Sequence, residues 1–139
     1  MEVRKLVEET KNPLNIRYNI NNQWRGQLGE HRGFCKFKSI SFGFRAAFVL
    51  IGNYLKTGAD TIEKIISRWA PPHENNTEAY IRFVCEQTSI ERNEKLSNVT
   101  IDDYWNKIII LKAMARMECG LIVDEQQINL YINYPDKYE

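Results

Sequence analysis

Two glutamates invite a chemical reading of this chain. Glu118 lies in KAMARMECG, at the end of a long apolar-periodic stretch, and Glu74 lies in RWAPPHENNTEAY, between two such stretches. Glu118 falls in the last turn of an expected helix, where the backbone dipole disfavours negative charge by about 0.3–1 kcal/mol. Among apolar neighbours such a carboxyl holds its proton more tightly, which is what a glycosidase acid requires. The competing reading is an exposed acid paired with Arg116 or Lys112. Glu74 follows Pro71, Pro72 and His73. It reads either as a general acid in a partly buried loop or as a solvated acid just ahead of a helix N-terminus.

A second constellation is polar and aromatic: Asn12, Asn15, Arg17, Asn19, Asn21, Asn22, Gln23 and Trp24. An aromatic ring stacks on the apolar face of a pyranose, and amides satisfy hydroxyl and acetamido groups as donors and acceptors. The same asparagines can instead be turn formers, with Trp24 packing the loop down. The chain contains no Gly-rich phosphate loop, no HExxH and no GxSxG. Its histidines are His31 and His73, and Cys35 or Cys85 with one of them could form a Cys–His nucleophile pair, although no local spacing supports it. The third cysteine is Cys119. An odd number, wide spacing and the absence of CxxC point to buried thiols, not to zinc or a disulfide framework. No metal and no cofactor are expected.

These residues must be positioned by a chain of 139 residues, 43% hydrophobic and 27% charged, with a formal net charge of +1. That is one soluble globular domain over residues 1–139. The near-neutral balance offers no electrostatic basis for nucleic acid as a partner. No segment reaches the roughly 18 apolar residues that a bilayer span needs. The start, MEVRKLVEETK, is too charged for a signal peptide, so synthesis and residence in the cytoplasm are expected, with virion association or release to the cell wall to follow.

Residues 1–11 read as a short helix or an unstructured lead, ended by Asn12-Pro13. Asn15–Tyr18 and Phe34–Phe37 alternate as strands of a small antiparallel ribbon, with Gly26, Gly29 and Gly33 between them. From about Phe42 the period becomes helical, with Phe44, Ala47, Phe48, Ile51, Tyr54 and Leu55 as the buried stripe and Gly58 as the stop. Asp60 and Glu63 suggest a capping box for a helix over Thr61–Trp69. Pro71-Pro72 forbids its continuation. Asn76 or Thr77 caps a helix to about Thr88, and residues 89–99 form a loop. Thr100 and Asp103 cap the longest helix, Ile101–Glu118, stopped by Gly120. Its expected stripe is Trp105, Ile108, Ile109, the Lys112 stem, and Met114 or Ala115. A last helix fits Glu125–Tyr134. The fold class is mainly α (α+β), about five helices with one small N-terminal ribbon.

NPLNIRY, Trp24–Gly26, GFCKF with the following SFGFRAA helix, TIEKIISRWAPPHENNTEAYIRFV and AMARMECG together resemble a family of phage and prophage virion structural proteins. The likeness runs from Asn12 to about Gly120, and RWAP-x-x-EN-x-T-x-x-Y is its most specific part. Members often carry an arginine-glycine-rich lead before the Asn-Pro, where this chain has VRKLVEETK. The order Asn-x-x-Asn-Ile, GFCKFKSISFGFRA, a Trp-Ala turn and an Asn-Thr-x-x-Tyr helix is also similar to bacterial glucosaminidases of the lysozyme-like superfamily, which cut peptidoglycan glycan strands. In those enzymes the catalytic glutamate precedes the Asn-x-x-Asn-Ile-like loop. Here the chain before Asn12 is too short for that helix, and MARMECG resembles its end. The resemblance therefore implies a circularly permuted lysozyme-like domain with Glu118 as the acid, a rearrangement compatible with termini that lie close together.

On this reading RWAPPHENNTEAY is one wall of a glycan groove. Trp69 packs beneath the loop, Asn75 and Asn76 offer amides, and Tyr80 faces the cleft. Asn12, Asn15, Arg17 and Trp24 position the sugar chain, with Glu74 as the reserve acid. The expected partners are peptidoglycan glycan strands or virion subunits. The alternative is a non-catalytic virion or wall-binding component, with exposed aromatics such as Trp24 and Tyr131 marking an interface.

Overall fold

The structure, a computed structural model, describes residues 3–139. The chain runs α1 (Val3–Thr10), β1 (Gln27–His31), β2 (Phe34–Phe37), α2 (Ile40–Lys56), α3 (Ile62–Trp69), α4 (Thr77–Thr88), α5 (Ile101–Cys119), α6 (Glu125–Asn133) and a closing 3-10 turn, Pro135–Tyr138. The expected mainly helical α+β class is what forms, with six helices among the described residues where about five are legible in the sequence. The extra helix is α1, in the lead whose first two positions lie outside the described residues.

The ribbon pairs differently from expectation. β2 pairs antiparallel with Gln27–His31, in the register Gln27↔Phe37, Glu30↔Cys35 and His31↔Phe34. Asn15–Tyr18 is not a strand. It touches β2 through a single bridge, Arg17↔Phe34, supported by Cys35 N–H donating to the Ile16 carbonyl at 2.9 Å. Two backbone facts explain the difference. Asn15 sits at φ 51°, which breaks any extended run starting there, and the two residues between β1 and β2, Arg32 and Gly33, have φ 56° and 89°. Positive φ at both central positions is the tight hairpin turn whose twist matches that of the paired strands.

Helix ends follow their caps. Thr61, not Asp60, caps α3, its hydroxyl accepting from Lys64 N–H at 3.1 Å; Asp60 stands one residue too early and pairs with the Lys64 ammonium at 3.5 Å. Asn76 caps α4 through Ala79 N–H at 3.2 Å. α5 opens with the expected capping box, Thr100 Oγ1 accepting from Asp103 N–H at 3.1 Å while Asp103 accepts from Thr100 N–H at 2.8 Å. Three donors on that carboxyl, the backbone N–H groups of Thr100 and Val99 and the Ser97 hydroxyl, hold its pKa down to about 2. Gly120 at φ 74° ends the helix in the left-handed conformation that glycine adopts without strain.

One contiguous core joins the helices to the base of the ribbon, with Leu14, Phe37, Phe44, Ile66, Leu111 and Met114 fully buried in it. α2 packs on α5, α6 and the closing turn, and α4 packs between α3 and α5. Each large apolar side chain buried this way contributes about 1.5–3 kcal/mol. α5 is gripped by α2, α4 and α6, so its fully buried residues, Ile108, Ile110, Leu111 and Met114, exceed a single stripe, while Trp105 and Ile109 are half-buried. Tyr131 is half-buried, its ring packed against Phe44 and Tyr138 at centroid distances of 5.6 and 5.1 Å. The exposed aromatic at this end is Tyr134. No helix among the described residues is long and apolar enough to cross a membrane.

Candidate functional site

The site is assembled on the turn that follows α1. Asn12 is completely buried. Its Nδ2 donates to the carbonyls of Ile16 at 3.0 Å and Cys35 at 2.9 Å, and its Oδ1 accepts from Ile16 N–H at 3.0 Å. Leu14 is fully buried, and its carbonyl accepts from the Trp69 indole N–H at 3.0 Å. The turn lies against α2 because position 43 is glycine. A Cβ there would stand 2.6 Å from Pro13 Cδ and 2.9 Å from the Lys11 carbonyl oxygen. Pinned on both sides, the turn delivers Asn15 in the left-handed conformation, and its Nδ2 donates to Glu118 Oε1 at 2.8 Å.

Glu118 reaches this point from the last turn of α5, and α4 supplies the second partner. The Tyr80 hydroxyl donates to Glu118 Oε2 at 2.9 Å. Burial pushes the proton affinity of Glu118 up, while the hydrogen bonds from Asn15 and Tyr80 and the nearby Arg17 charge pull it back. Burial, then the Glu118 charge, holds the Tyr80 phenol well above its ordinary range, so Tyr80 remains a donor. The result is a recessed carboxyl, fixed through both oxygens, with an increased tendency to keep its proton.

Around it is a concavity of about 390 Å³ lined by Asn15, Arg17, Phe34, Trp69, Asn75, Asn76, Ala79, Tyr80, Met117 and Glu118. A second concavity of about 450 Å³ shares Asn15, Arg17 and Trp69 and continues past Trp24, Tyr54, Arg68 and Glu74. The shared residues make the two hollows lobes of one furrow. Arg17 stands at the seam. Its guanidinium lies 5.2 Å from the Phe34 ring centroid, and its Nη2 is 3.3 Å from Glu74 Oε2. In the second lobe the Tyr54 and Trp69 rings meet edge-on at 5.8 Å, with Arg68 5.0 Å from the Tyr54 ring centroid.

Most of the residues singled out from sequence meet here: Glu118, Asn15, Arg17, Trp69, Asn75, Asn76 and Tyr80 in one lobe, with Trp24 and Glu74 in the other. Asn12 does not. It is sealed behind the turn, its amide engaged by backbone, so it shapes the site without reaching a ligand. Glu74 lacks the burial that would make it a reserve acid: its side chain is 44% exposed and lies against Arg17 and His73. The pairing of Glu118 with Arg116 or Lys112 does not form. Lys112 pairs with Glu125 at 3.2 Å, and Arg116 lies by the Phe83 ring.

A thiol nucleophile is not built. Cys35 is buried with its Sγ directed to the Arg17 carbonyl, and burial pushes the thiols of Cys35 and Cys85 up, away from the reactive thiolate. His73 is an exposed loop residue beside Glu74. Among the described residues no cluster of three or more His, Cys, Asp or Glu is arranged to hold a metal ion.

Phe34, Tyr54, Arg68 and Met117 line the furrow without having been marked from sequence. Tyr54 falls on the apolar stripe of α2 and reads as core. Phe34, Arg68 and Met117 carried a signal only by lying within the GFCKF, RWAP and AMARMECG segments.

No protein-family model matches the chain. Protein P5 of Pseudoalteromonas phage PM2 is 40% identical to it over 114 residues, an alignment that covers 78% of this chain and 68% of that protein. With that identity and coverage, the chain belongs to the family of phage proteins that includes Protein P5 of Pseudoalteromonas phage PM2.

Proposed function

We propose that this phage-type chain is directed at peptidoglycan and cuts its glycan strands, as a lysozyme-like domain in permuted order whose acid is Glu118. The observation that carries this reading is the recessed Glu118 carboxyl, held by Asn15 and Tyr80 at the wall of an aromatic and amide-lined furrow. A carboxyl that keeps its proton through burial can deliver it to the glycosidic oxygen. Once the proton leaves, the carboxylate accepts from the Asn15 amide and the Tyr80 hydroxyl, which stabilise the charge that develops there. Glu74, the other carboxyl lining the furrow, is engaged with Arg17. Displacement is therefore completed by the acetamido group of the substrate or by an activated water. Trp24 and Trp69 offer faces to pyranose rings, and Asn75 and Asn76 offer amides to their substituents.

Turbidity of purified peptidoglycan tests the proposal. Wild type clears the suspension, Glu118→Gln slows clearing about 100-fold or more, and Glu74→Gln keeps most of the activity. Clearing by Glu118→Gln at the wild-type rate overturns the assignment.

A second reading, a non-catalytic virion or wall-binding component, is favoured by a different observation. Val99 and Ile101, close together at the start of α5, are 86% and 69% exposed, as neighbouring apolar residues at a subunit contact would be in the isolated chain. That reading expects co-sedimentation with peptidoglycan or with virion proteins and no clearing by wild type.

A further inference from the structure

We infer that Arg17 is a receptor for a carboxylate carried on the glycan, so that the furrow selects an anionic amino-sugar strand over a neutral one. The inference rests on the glycan reading above and adds to it the charge of the ligand.

Three features of Arg17 support it. It lines both lobes, so a chain running from the Trp24 side to Glu118 must pass it. Its guanidinium is oriented by the Phe34 ring at 5.2 Å, which leaves its edge available for planar recognition. Its ion pair is loose: one nitrogen at 3.3 Å from Glu74, in a pair whose side chains are 66% and 44% exposed. An exposed single-contact pair is weak and exchangeable, whereas a ligand carboxylate can take two parallel N–H donors from the same fork.

The surroundings agree in sign. The furrow is lined by Arg17 and Arg68 as cations and by Glu74 and Glu118 as carboxyls. Glu118 is the carboxyl whose ionisation burial opposes, so the lining leans positive while the acid holds its proton. Arg17 also acts on the acid. Its charge draws the Glu118 proton affinity down, against the burial that raises it and alongside the hydrogen bonds from Asn15 and Tyr80. A carboxylate seated on Arg17 masks that charge and leaves the acid better able to keep its proton until transfer. In an amino-sugar polymer this carboxylate comes either from an ether-linked acid on the sugar ring or from a peptide attached to it. Arg17 lines both lobes beside the path of the sugar rings themselves, which favours the ring substituent.

Direct binding measurements separate the outcomes. The probes are three oligosaccharides of equal length: a neutral chitin oligomer, a muramyl-containing oligomer without peptide, and the same oligomer with its peptide stems. They are titrated calorimetrically into wild type, Arg17→Gln and Arg17→Lys, with a melting curve to confirm that each variant is folded. Wild type is expected to bind the peptide-free muramyl oligomer about tenfold or more tightly than the chitin oligomer, the effect of one charge-assisted contact. Arg17→Gln removes that preference, and Arg17→Lys keeps part of it. Equal affinity of wild type for the chitin and muramyl oligomers overturns the Arg17 inference and leaves the glycan reading standing. So does a preference that survives in Arg17→Gln, or one that requires the peptide stems. Failure of wild type to bind any of the three overturns both.

Discussion

The Tyr80 hydroxyl donates to Glu118 Oε2 at 2.9 Å, joining the middle of the sequence to its last long helix across the packed faces of α4 and α5. The opposite oxygen of the same carboxyl takes the Asn15 amide from the front of the chain at 2.8 Å. Three separate segments thus converge on one acid. Burial raises its proton affinity, and its two hydrogen-bond donors lower it. The balance between these opposing causes can be measured.

Tyr80→Phe removes one stabilising donor from the carboxylate and keeps the ring that fills the space. The hydrogen bond from Tyr80 lowers the Glu118 pKa, so its loss raises it further. Carboxyl-carbon NMR titration of Glu118 checks this without reference to activity. In any pH–rate profile the alkaline limb, where the acid loses its proton, moves to higher pH in the variant. A downward shift in Tyr80→Phe would sink the assignment of that bond.

Glu118 also sets a pH-dependent stability. Its folded pKa is raised above the ordinary value of 4.5. Below that value the carboxyl is protonated in both folded and unfolded chains, and its ionisation costs the fold nothing. As pH rises through the folded pKa, the unfolded chain ionises more readily and the native state loses stability. Glutamine does not titrate, and it also removes a negative charge from a helix C-terminus. Glu118→Gln is therefore expected to be more stable than wild type at pH 7 by about 1 kcal/mol. The advantage shrinks as pH falls towards 4. Denaturant midpoints measured at both pH values check the sign.

Asn12→Ala tests the division between shaping the site and touching a ligand. The substitution strips the Asn12 partner from the buried Ile16 N–H and Cys35 carbonyl, and one of two donors from the Ile16 carbonyl, which keeps the Cys35 N–H. The expected loss is about 2–4 kcal/mol, the cost of leaving buried polar groups unsatisfied, with a drop in Tm of roughly 10 °C. Asn15→Gly, at a surface-reaching position already at positive φ, is expected to cost much less stability while removing the amide from Glu118. If Asn12→Ala melts with wild type, the turn is held by something other than this amide.

Helix limits were largely legible in the amino-acid sequence, because they depend on neighbours within a few residues. Pro71-Pro72 ended α3, the Thr100–Asp103 box opened α5, and Gly58 and Gly120 stopped the two longest helices. Even the Asp60 reading missed the real cap by one position. Glu118 was legible only as one of two readings, since a glutamate in a last turn beside apolar residues fits a buried carboxyl and an exposed acid paired with Arg116 or Lys112 alike.

Tertiary structure decided what depends on long-range pairing. The ribbon took Gln27–His31 in place of Asn15–Tyr18, because the left-handed Asn15 breaks an extended run and the Arg32-Gly33 turn favours the nearer partner. Asn12 and Asn15 are the same residue type three positions apart, one sealed in the core and the other on Glu118. No local pattern separates them. The close approach of Pro13 to Gly43 and the seating of Leu14 under Trp69 do. The raised proton affinity of Glu118 has the same origin: it is a property of the desolvated space enclosed by three distant segments, which exists only once they have packed.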